Sequence, residues 1–172
     1  MRALRRAVRA SILDRRAHSE LFFDADATAD AVLLVAAISA VTYAASVVRI
    51  IGFRFLTITN LLEYVIYGLI AWLILSAATW FVATRLFGGS GQMQTTIRLH
   101  GHCELPLLLA IFGDVLGGIG LAWSLVAKIV ATSEAASIDT AKSVASVLVG
   151  FALVLLIRLV FRLPFLVLGS LF

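Results

Sequence analysis

The chain has 172 residues, of which 62% are hydrophobic and 14% are charged, and its formal net charge is +4. Soluble domains are about 45–50% apolar and about 25% charged, and a chain of this size exposes too much surface to hide the excess from water. These values exclude an ordinary soluble domain and predict one all-α domain embedded in a membrane. The single cysteine excludes an internal disulfide.

Residues 1–26 form a basic segment that we expect in the cytoplasm. Leu4, Val8 and Ile12 recur at four-residue spacing, which predicts a basic amphipathic helix lying in the membrane interface. The arginines on this helix are Arg2, Arg5, Arg6 and Arg9. They lack interleaved aromatic or glycine motifs, so we expect anionic lipid headgroups and not nucleic acid as their partners. Alternatively, they only hold the N-terminus inside the cell.

Residues 27–172 are predicted to form the membrane domain. No cleavable signal peptide is expected, because no apolar stretch precedes residue 31. Residues 27–48 carry no basic side chain and form the first predicted span. Asn60, three residues before Glu63, has the spacing of a capping box at the start of the second helix; alternatively, Glu63 is the buried partner of a base. The Gly-Gly-Ser-Gly run at 88–91 lacks the Lys-Ser/Thr of a phosphate loop and predicts a flexible turn.

The middle of the chain decides between four and five spans. The glycine-rich stretch at 113–120 weakens a helix, so we predict a hairpin of two helices, roughly 94–116 and 118–133. The last span is predicted over 140–163, ended by Pro164. The five-span and four-span models each place ten basic residues inside and four outside, so charge asymmetry favours neither.

A cluster of chemistry-capable side chains precedes the third span: His100, His102, Cys103 and Glu104. His100 and Glu104 are four residues apart and share a helix face, as two metal ligands can. A closed zinc site needs four ligands, however, and the sequence has no second pair. Cys103 beside a histidine base would suit a nucleophile. The favoured interpretation is a polar, solvated or hydrogen-bonded start to a membrane helix, with no bound metal or cofactor.

Asp114 is an acid within an apolar region, where a charge at bilayer depth costs about 2.5–3.5 kcal/mol. It is therefore predicted either to face the bundle interior or to lie at the hairpin turn near the far surface. Arg158 and Arg162 share a face of the last helix and are candidate partners, unless they reach to the interface. Gly113 and Gly117 have the spacing that permits close helix packing.

Several segments together resemble the Yip family (Ypt-interacting proteins), particularly its prokaryotic branch. They read FFDADATADAVLLVAAISA, then LFGGSGQMQTTIRLHGHCELPLLLAIFGDVLGGIGLAWSLVAKIV, then SIDTAKSVASVLVGFALVLL. The similarity covers about residues 20–163 and rests on the glycine pair, the Gly101 to Pro106 step, and the order of helices. It implies five spans with the N-terminus in the cytoplasm. Eukaryotic relatives associate with Rab-type GTPases through a longer acidic–aromatic N-terminal region that is not seen here, so GTPase binding is not expected.

The functional hypothesis is a non-enzymatic, multi-pass protein of a prokaryotic cytoplasmic membrane. It is expected to act through lipids, other membrane proteins or self-association, as a scaffold, membrane organiser or accessory subunit. The alternative is a small ion, proton or solute transporter that uses Asp114 and the polar start of the third helix. A metal- or cysteine-dependent membrane enzyme is a third hypothesis.

Overall fold

The computed structural model describes residues 2–14, 21, 24 and 27–169, with the backbone alone at residues 2, 3, 55 and 161–169. Within these residues, six α-helices follow one another along the chain. They are α1 (Arg2–Ser11), α2 (Ala27–Ile50), α3 (Ile58–Phe81), α4 (Met93–His102), α5 (Asp114–Ala136) and α6 (Thr140–Gly169). A π-helical turn, Val82–Leu86, extends α3, and a 3₁₀ segment, Leu105–Phe112, separates α4 from α5.

Four of the described helices are long and apolar enough to cross a membrane: Ala27–Ile50, Ile58–Leu86, Asp114–Ala136 and Thr140–Val160. The prediction of an all-α, multi-span fold is therefore confirmed, and the number of candidate spans equals the predicted alternative of four. The five-helix count is not confirmed, because the third predicted span consists of α4 and the 3₁₀ segment, both short. At 1.5 and 2.0 Å per residue, these two pieces together extend about 31 Å.

The helices run antiparallel between two ends of the bundle. At the near end, Ser90 N donates to Ala136 O at 2.8 Å, which joins the 87–92 loop to the end of α5. At the far end, the Arg49 guanidinium contacts the Asp114 carboxylate at 2.7 Å, which joins the end of α2 to the start of α5. The chain between these ends, α4 with the 3₁₀ segment, therefore extends from one end of the bundle to the other.

The hairpin turn lies earlier than predicted. It occurs at Gly113, whose φ of +129° is unfavourable for residues with a side chain, and α5 starts at the next residue. Two of the glycines that follow, Gly117 and Gly120, lie within α5 and permit its close packing against the 3₁₀ segment. A Cβ at Gly117 would lie 3.1 Å from Ala110 Cβ, and one at Gly120 would overlap the Pro106 carbonyl oxygen.

Two predicted helix ends are also wrong. The second membrane helix begins at Ile58, since Thr57 is its N-cap and accepts a hydrogen bond from Asn60 N at 3.3 Å. Asn60 is therefore inside the helix, and the exposed Glu63 does not complete a capping box. The last helix continues through Pro164 to Gly169. Proline has no N–H for one of the helical hydrogen bonds, but membrane helices tolerate this loss.

The small residues of α1 face the bundle. Ala7, Ala10 and Ser11 are buried, and the Trp123 indole N–H donates to Ser11 O at 2.6 Å. Trp123 is the tenth residue of α5, so the end of α1 is level with the middle of that helix. The helix is therefore packed along the bundle and does not lie free across its end.

Candidate functional site: a buried polar cluster beside a central cavity

Two faces rich in polar residues meet between α4 and α5. On α5, Ser124, Lys128 and Thr132 recur every four residues and share one face of the helix. Opposite them, His100 Nε2 lies 3.0 Å from Thr132 Oγ1, and Glu104 Oε1 lies 3.0 Å from Lys128 Nζ. His100 and Glu104, which were predicted to share a helix face, thus both contact α5, although Glu104 lies in the turn that follows α4.

The Glu104–Lys128 ion pair is almost completely enclosed. Glu104 is 7% exposed and Lys128 is 2% exposed. The ammonium also donates to Ser124 Oγ at 2.6 Å, so each charge has a close partner. Removing one member of such a pair leaves an uncompensated buried charge, which costs about 3–5 kcal/mol. Of the two states predicted for Glu104, solvated or hydrogen-bonded, the structure shows the second, because the chain folds this carboxylate inward against Lys128.

Both histidines are buried, and within the described part of the chain each has one ring nitrogen without a hydrogen-bond partner. His102 Nδ1 contacts Arg98 O at 2.9 Å, while His102 Nε2 and His100 Nδ1 have no hydrogen-bond partner among the described residues. Gly101 lies between the histidines because α4 closely approaches two other helices there. A Cβ on it would lie 2.6 Å from Ala31 Cβ and 3.1 Å from Trp72 Cζ2.

A metal site and a nucleophile at Cys103 were the two alternatives predicted for this cluster. Cys103 is fully buried and packs with Leu99 and Ala127 in a core cluster, so no substrate can reach its thiol in this conformation. Over the described part of the chain, no three His, Cys, Asp or Glu residues converge as metal ligands. The absence of a bound metal or cofactor stays a prediction.

A cavity of about 210 Å³ lies beside the ion pair and is lined by four helices and the 3₁₀ segment. Glu104 and Lys128 line it at mid-bundle, and Arg158, Tyr64 and Tyr67 line it nearer the far end. The Arg158 guanidinium stacks on the Tyr67 ring at 5.0 Å from its centroid. The other walls are mostly apolar: Val35, Ile38, Leu75, Leu107, Phe151 and Val154.

Asp114 lies at the turn at the far end of the bundle, which was one of its two predicted positions. Its side chain is 94% exposed, and it pairs with Arg49 at 2.7 Å. The predicted partnership with Arg158 is wrong, because Arg158 contacts Tyr67 in the bundle. The side chain of Arg162 lies outside the described residues. Of the two predicted packing glycines, Gly117 packs against the 3₁₀ segment, whereas Gly113 forms the turn.

The N-terminal arginines differ in their surroundings. Arg6 pairs with Asp24 at 2.6 Å, and Arg9 pairs with Asp14 at 2.8 Å. Arg5 is exposed, and the side chain of Arg2 lies outside the described residues. Two of the four arginines that were predicted to contact headgroups, Arg6 and Arg9, therefore form ion pairs within the protein.

The glycine run at 88–91 is a close-packed connection, contrary to the predicted flexible turn. A Cβ at Gly89 would lie 2.8 Å from Ala136 O, and one at Gly91 would lie 2.6 Å from Ala135 O. The Trp80 indole N–H also donates to Gly91 O at 2.9 Å. Glycine is needed at Gly89 and Gly91 because a Cβ at either position would collide with the carboxyl end of α5.

The sequence reasoning missed Lys128 as a member of the site. The available signal was the repeat of Ser124, Lys128 and Thr132 on one face of an otherwise apolar helix. A polar stripe inside a span faces the bundle interior, where it requires partners such as Glu104.

The comparison with protein families supports the same architecture. The family model described as the Yip1 domain matches residues 16–161, which includes the polar cluster, the cavity and all four candidate spans. No curated protein matches the chain, and no solved structure matches it. With most of its length matched and several apolar helices, the protein is a multi-pass integral membrane protein that belongs to the Yip1-domain family.

Proposed function

We propose that the protein has no enzymatic activity and organises the membrane around it through lipid and protein contacts. The observation that carries this proposal is the outward apolar stripe of α1. Leu4, Val8 and Ile12 are 55%, 44% and 66% exposed. Fully burying a side chain of this type is worth about 1.5–3 kcal/mol, so the stripe favours hydrocarbon over water.

The anchoring of α1 supports a fixed position in one leaflet. The Trp123–Ser11 hydrogen bond attaches its end to the middle of α5, while Arg6 pairs with Asp24 near the start of the first span. A helix fixed there adds volume to one leaflet and not to the other. We propose that this asymmetry bends the bilayer, with Arg5 contacting anionic headgroups of the cytoplasmic leaflet.

The same lipid-facing surface suits a scaffold or accessory subunit. Other membrane proteins, or a second copy of the chain, would pack on the exposed apolar side chains of the spans. We further propose that the N-terminus is cytoplasmic and that the host membrane is the prokaryotic cytoplasmic membrane. The six arginines within the first 16 residues support the orientation.

The proposal is tested by the shape of reconstituted vesicles. The triple variant Leu4→Ser, Val8→Ser, Ile12→Ser removes the stripe, and the protein is reconstituted with phosphatidylcholine and phosphatidylglycerol. We expect the unaltered protein to give smaller vesicles than the triple variant at equal protein density, measured by cryo-electron microscopy. Equal diameters would contradict membrane shaping by α1.

A matched control uses three exposed apolar residues at the far end: Ile51→Ser, Ile58→Ser and Val115→Ser. It removes similar apolar surface without touching α1, so its vesicles should match those of the unaltered protein. If the vesicles with this control were also larger than those with the unaltered protein, the effect would come from a general loss of apolar surface and not from α1.

A transporter is the second candidate, favoured by the cavity and its buried ion pair. Asp114 lies away from that cavity, at the exposed end of α5. A transport path would therefore use Glu104, and Glu104→Gln should abolish flux of protons or ions into liposomes while Asp114→Asn leaves it unchanged. The membrane-organising proposal expects no protein-dependent flux from the unaltered protein.

A further inference from the structure

The cavity carries one net positive charge. Three charged side chains line it, namely Glu104, Lys128 and Arg158. The first two neutralise each other at 3.0 Å, and no carboxylate among the described residues is within ion-pairing distance of Arg158. A guanidinium in a membrane without a counter-charge favours an anionic ligand.

The cavity opens toward lipid. Four of its lining residues are exposed on the bundle surface: Tyr64, Leu121, Leu155 and Arg158. Its volume of about 210 Å³ exceeds the roughly 150 Å³ of an apolar cavity that accepts benzene. The apolar walls suit a hydrocarbon chain, and the exposed Arg158 suits an anionic headgroup. An anionic lipid has both parts.

One residue of the cavity wall has a hydrogen-bond donor without an acceptor among the described residues. Trp72 is 3% exposed and lines the cavity, and its indole N–H has no partner among the described residues. A buried donor left unsatisfied costs about 1–3 kcal/mol. An ester or acid carbonyl of a bound lipid would supply the missing acceptor.

We propose that this cavity is a binding site for an anionic lipid, with its phosphate or carboxylate on Arg158 and one acyl chain between α2, α3, α5 and α6. The site lies on a different part of the bundle from α1 and does not depend on membrane shaping. A phospholipid and a free fatty acid share this chemistry, so the probes must distinguish them.

The test is photo-crosslinking in proteoliposomes. Three probes carry a diazirine in the acyl chain: phosphatidylglycerol, zwitterionic phosphatidylcholine and a free fatty acid. We expect the anionic probes to label cavity residues such as Ala71, Leu75 and Val154, mapped by peptide mass spectrometry. The anionic probe with the greater cavity labelling identifies the source. Equal cavity labelling by phosphatidylcholine would overturn the anionic preference, and labelling only at outward residues such as Leu156 would overturn the site.

Two variants and one control test the residues involved. Arg158→Gln should lower anionic labelling of the cavity roughly tenfold, the loss of one charge-assisted hydrogen bond. Ala71→Leu should lower labelling by the acyl-chain diazirine because the larger side chain fills the cavity. If this variant does not fold, Val154→Phe is used for the same purpose. Arg85→Gln, an exposed arginine near the other end of α3, should change nothing. Unchanged labelling in Arg158→Gln would overturn the proposal, whatever the vesicle diameters show.

Discussion

Replacing Lys128 with methionine tests the buried ion pair. Methionine has a similar shape, so the main change is an uncompensated carboxylate on Glu104 in an enclosed site. At the observed 3.0 Å, and with an effective dielectric constant of about 20, the lost attraction is about 5.5 kcal/mol. Part of this is offset because the ammonium no longer pays its own desolvation cost. We expect a net destabilisation of about 3–5 kcal/mol.

The double variant Glu104→Gln with Lys128→Met separates charge from packing. Replacing both members removes both buried charges, so most of the lost stability should return. The assay is reversible unfolding of the purified protein in mixed micelles of mild detergent and dodecyl sulfate, followed by circular dichroism. A double-mutant cycle then gives the coupling free energy, which we expect to exceed about 2 kcal/mol.

The Arg49–Asp114 pair is the matched control for this cycle. Its contact is shorter, at 2.7 Å against 3.0 Å, but the Asp114 side chain is 94% exposed. Its coupling free energy should be about 0–1 kcal/mol, as for exposed pairs. Equal coupling for the two pairs would refute the reasoning that burial sets the strength of the Glu104–Lys128 interaction.

Three further predictions concern local structure. Gly101→Val should destabilise the protein by about 1–3 kcal/mol through overpacking, measured in the same micelle assay; full retention of stability would contradict the close approach of α4. Thr57→Ala should cost about 1 kcal/mol and Asn60→Ala much less, because Thr57 is the N-cap; the reverse order would restore the predicted capping box. Asp139 Oδ1 accepts a hydrogen bond from the backbone N–H of Lys142 at 2.9 Å and so caps the start of α6. This bond lowers the pKa of Asp139 below its ordinary value of 3.8, so the stabilisation it gives is present above that pH and is lost as pH falls through the lowered value. Asp139→Asn, which caps without titrating, should therefore weaken the pH dependence of the melting temperature below about pH 4; an unchanged pH profile would contradict this.

Composition and hydrophobic runs were sufficient to predict the all-helical membrane fold, because lipid requires internally hydrogen-bonded helices. The helix ends were harder to predict, since they depend on contacts distant in sequence. Gly113 forms the turn, although the glycines after it are the denser signal, because Gly117 and Gly120 are occupied by packing against the 3₁₀ segment. Local sequence does not distinguish a turn glycine from a packing glycine.

The same limit applies to the polar cluster. The orientation of His100 and Glu104 toward one side was predicted from their spacing, but the helix that they contact was not. Lys128 could be assigned to it only if α5 was known to run antiparallel to α4 in the observed register. The cavity was beyond prediction for the same reason, because Arg158 and Glu104 are brought to its walls by helices far apart in the sequence.

The position of α1 in lipid is the most direct test of the membrane-organising proposal. A spin label is placed at Val8 in a Cys103→Ala background, with a second label at the exposed Ser137 as the aqueous reference. In proteoliposomes, the proposal predicts that the Val8 label collides more with oxygen than with a water-soluble nickel chelate, and that the Ser137 label does the opposite. A Val8 label as accessible to nickel as the Ser137 label would contradict the proposal.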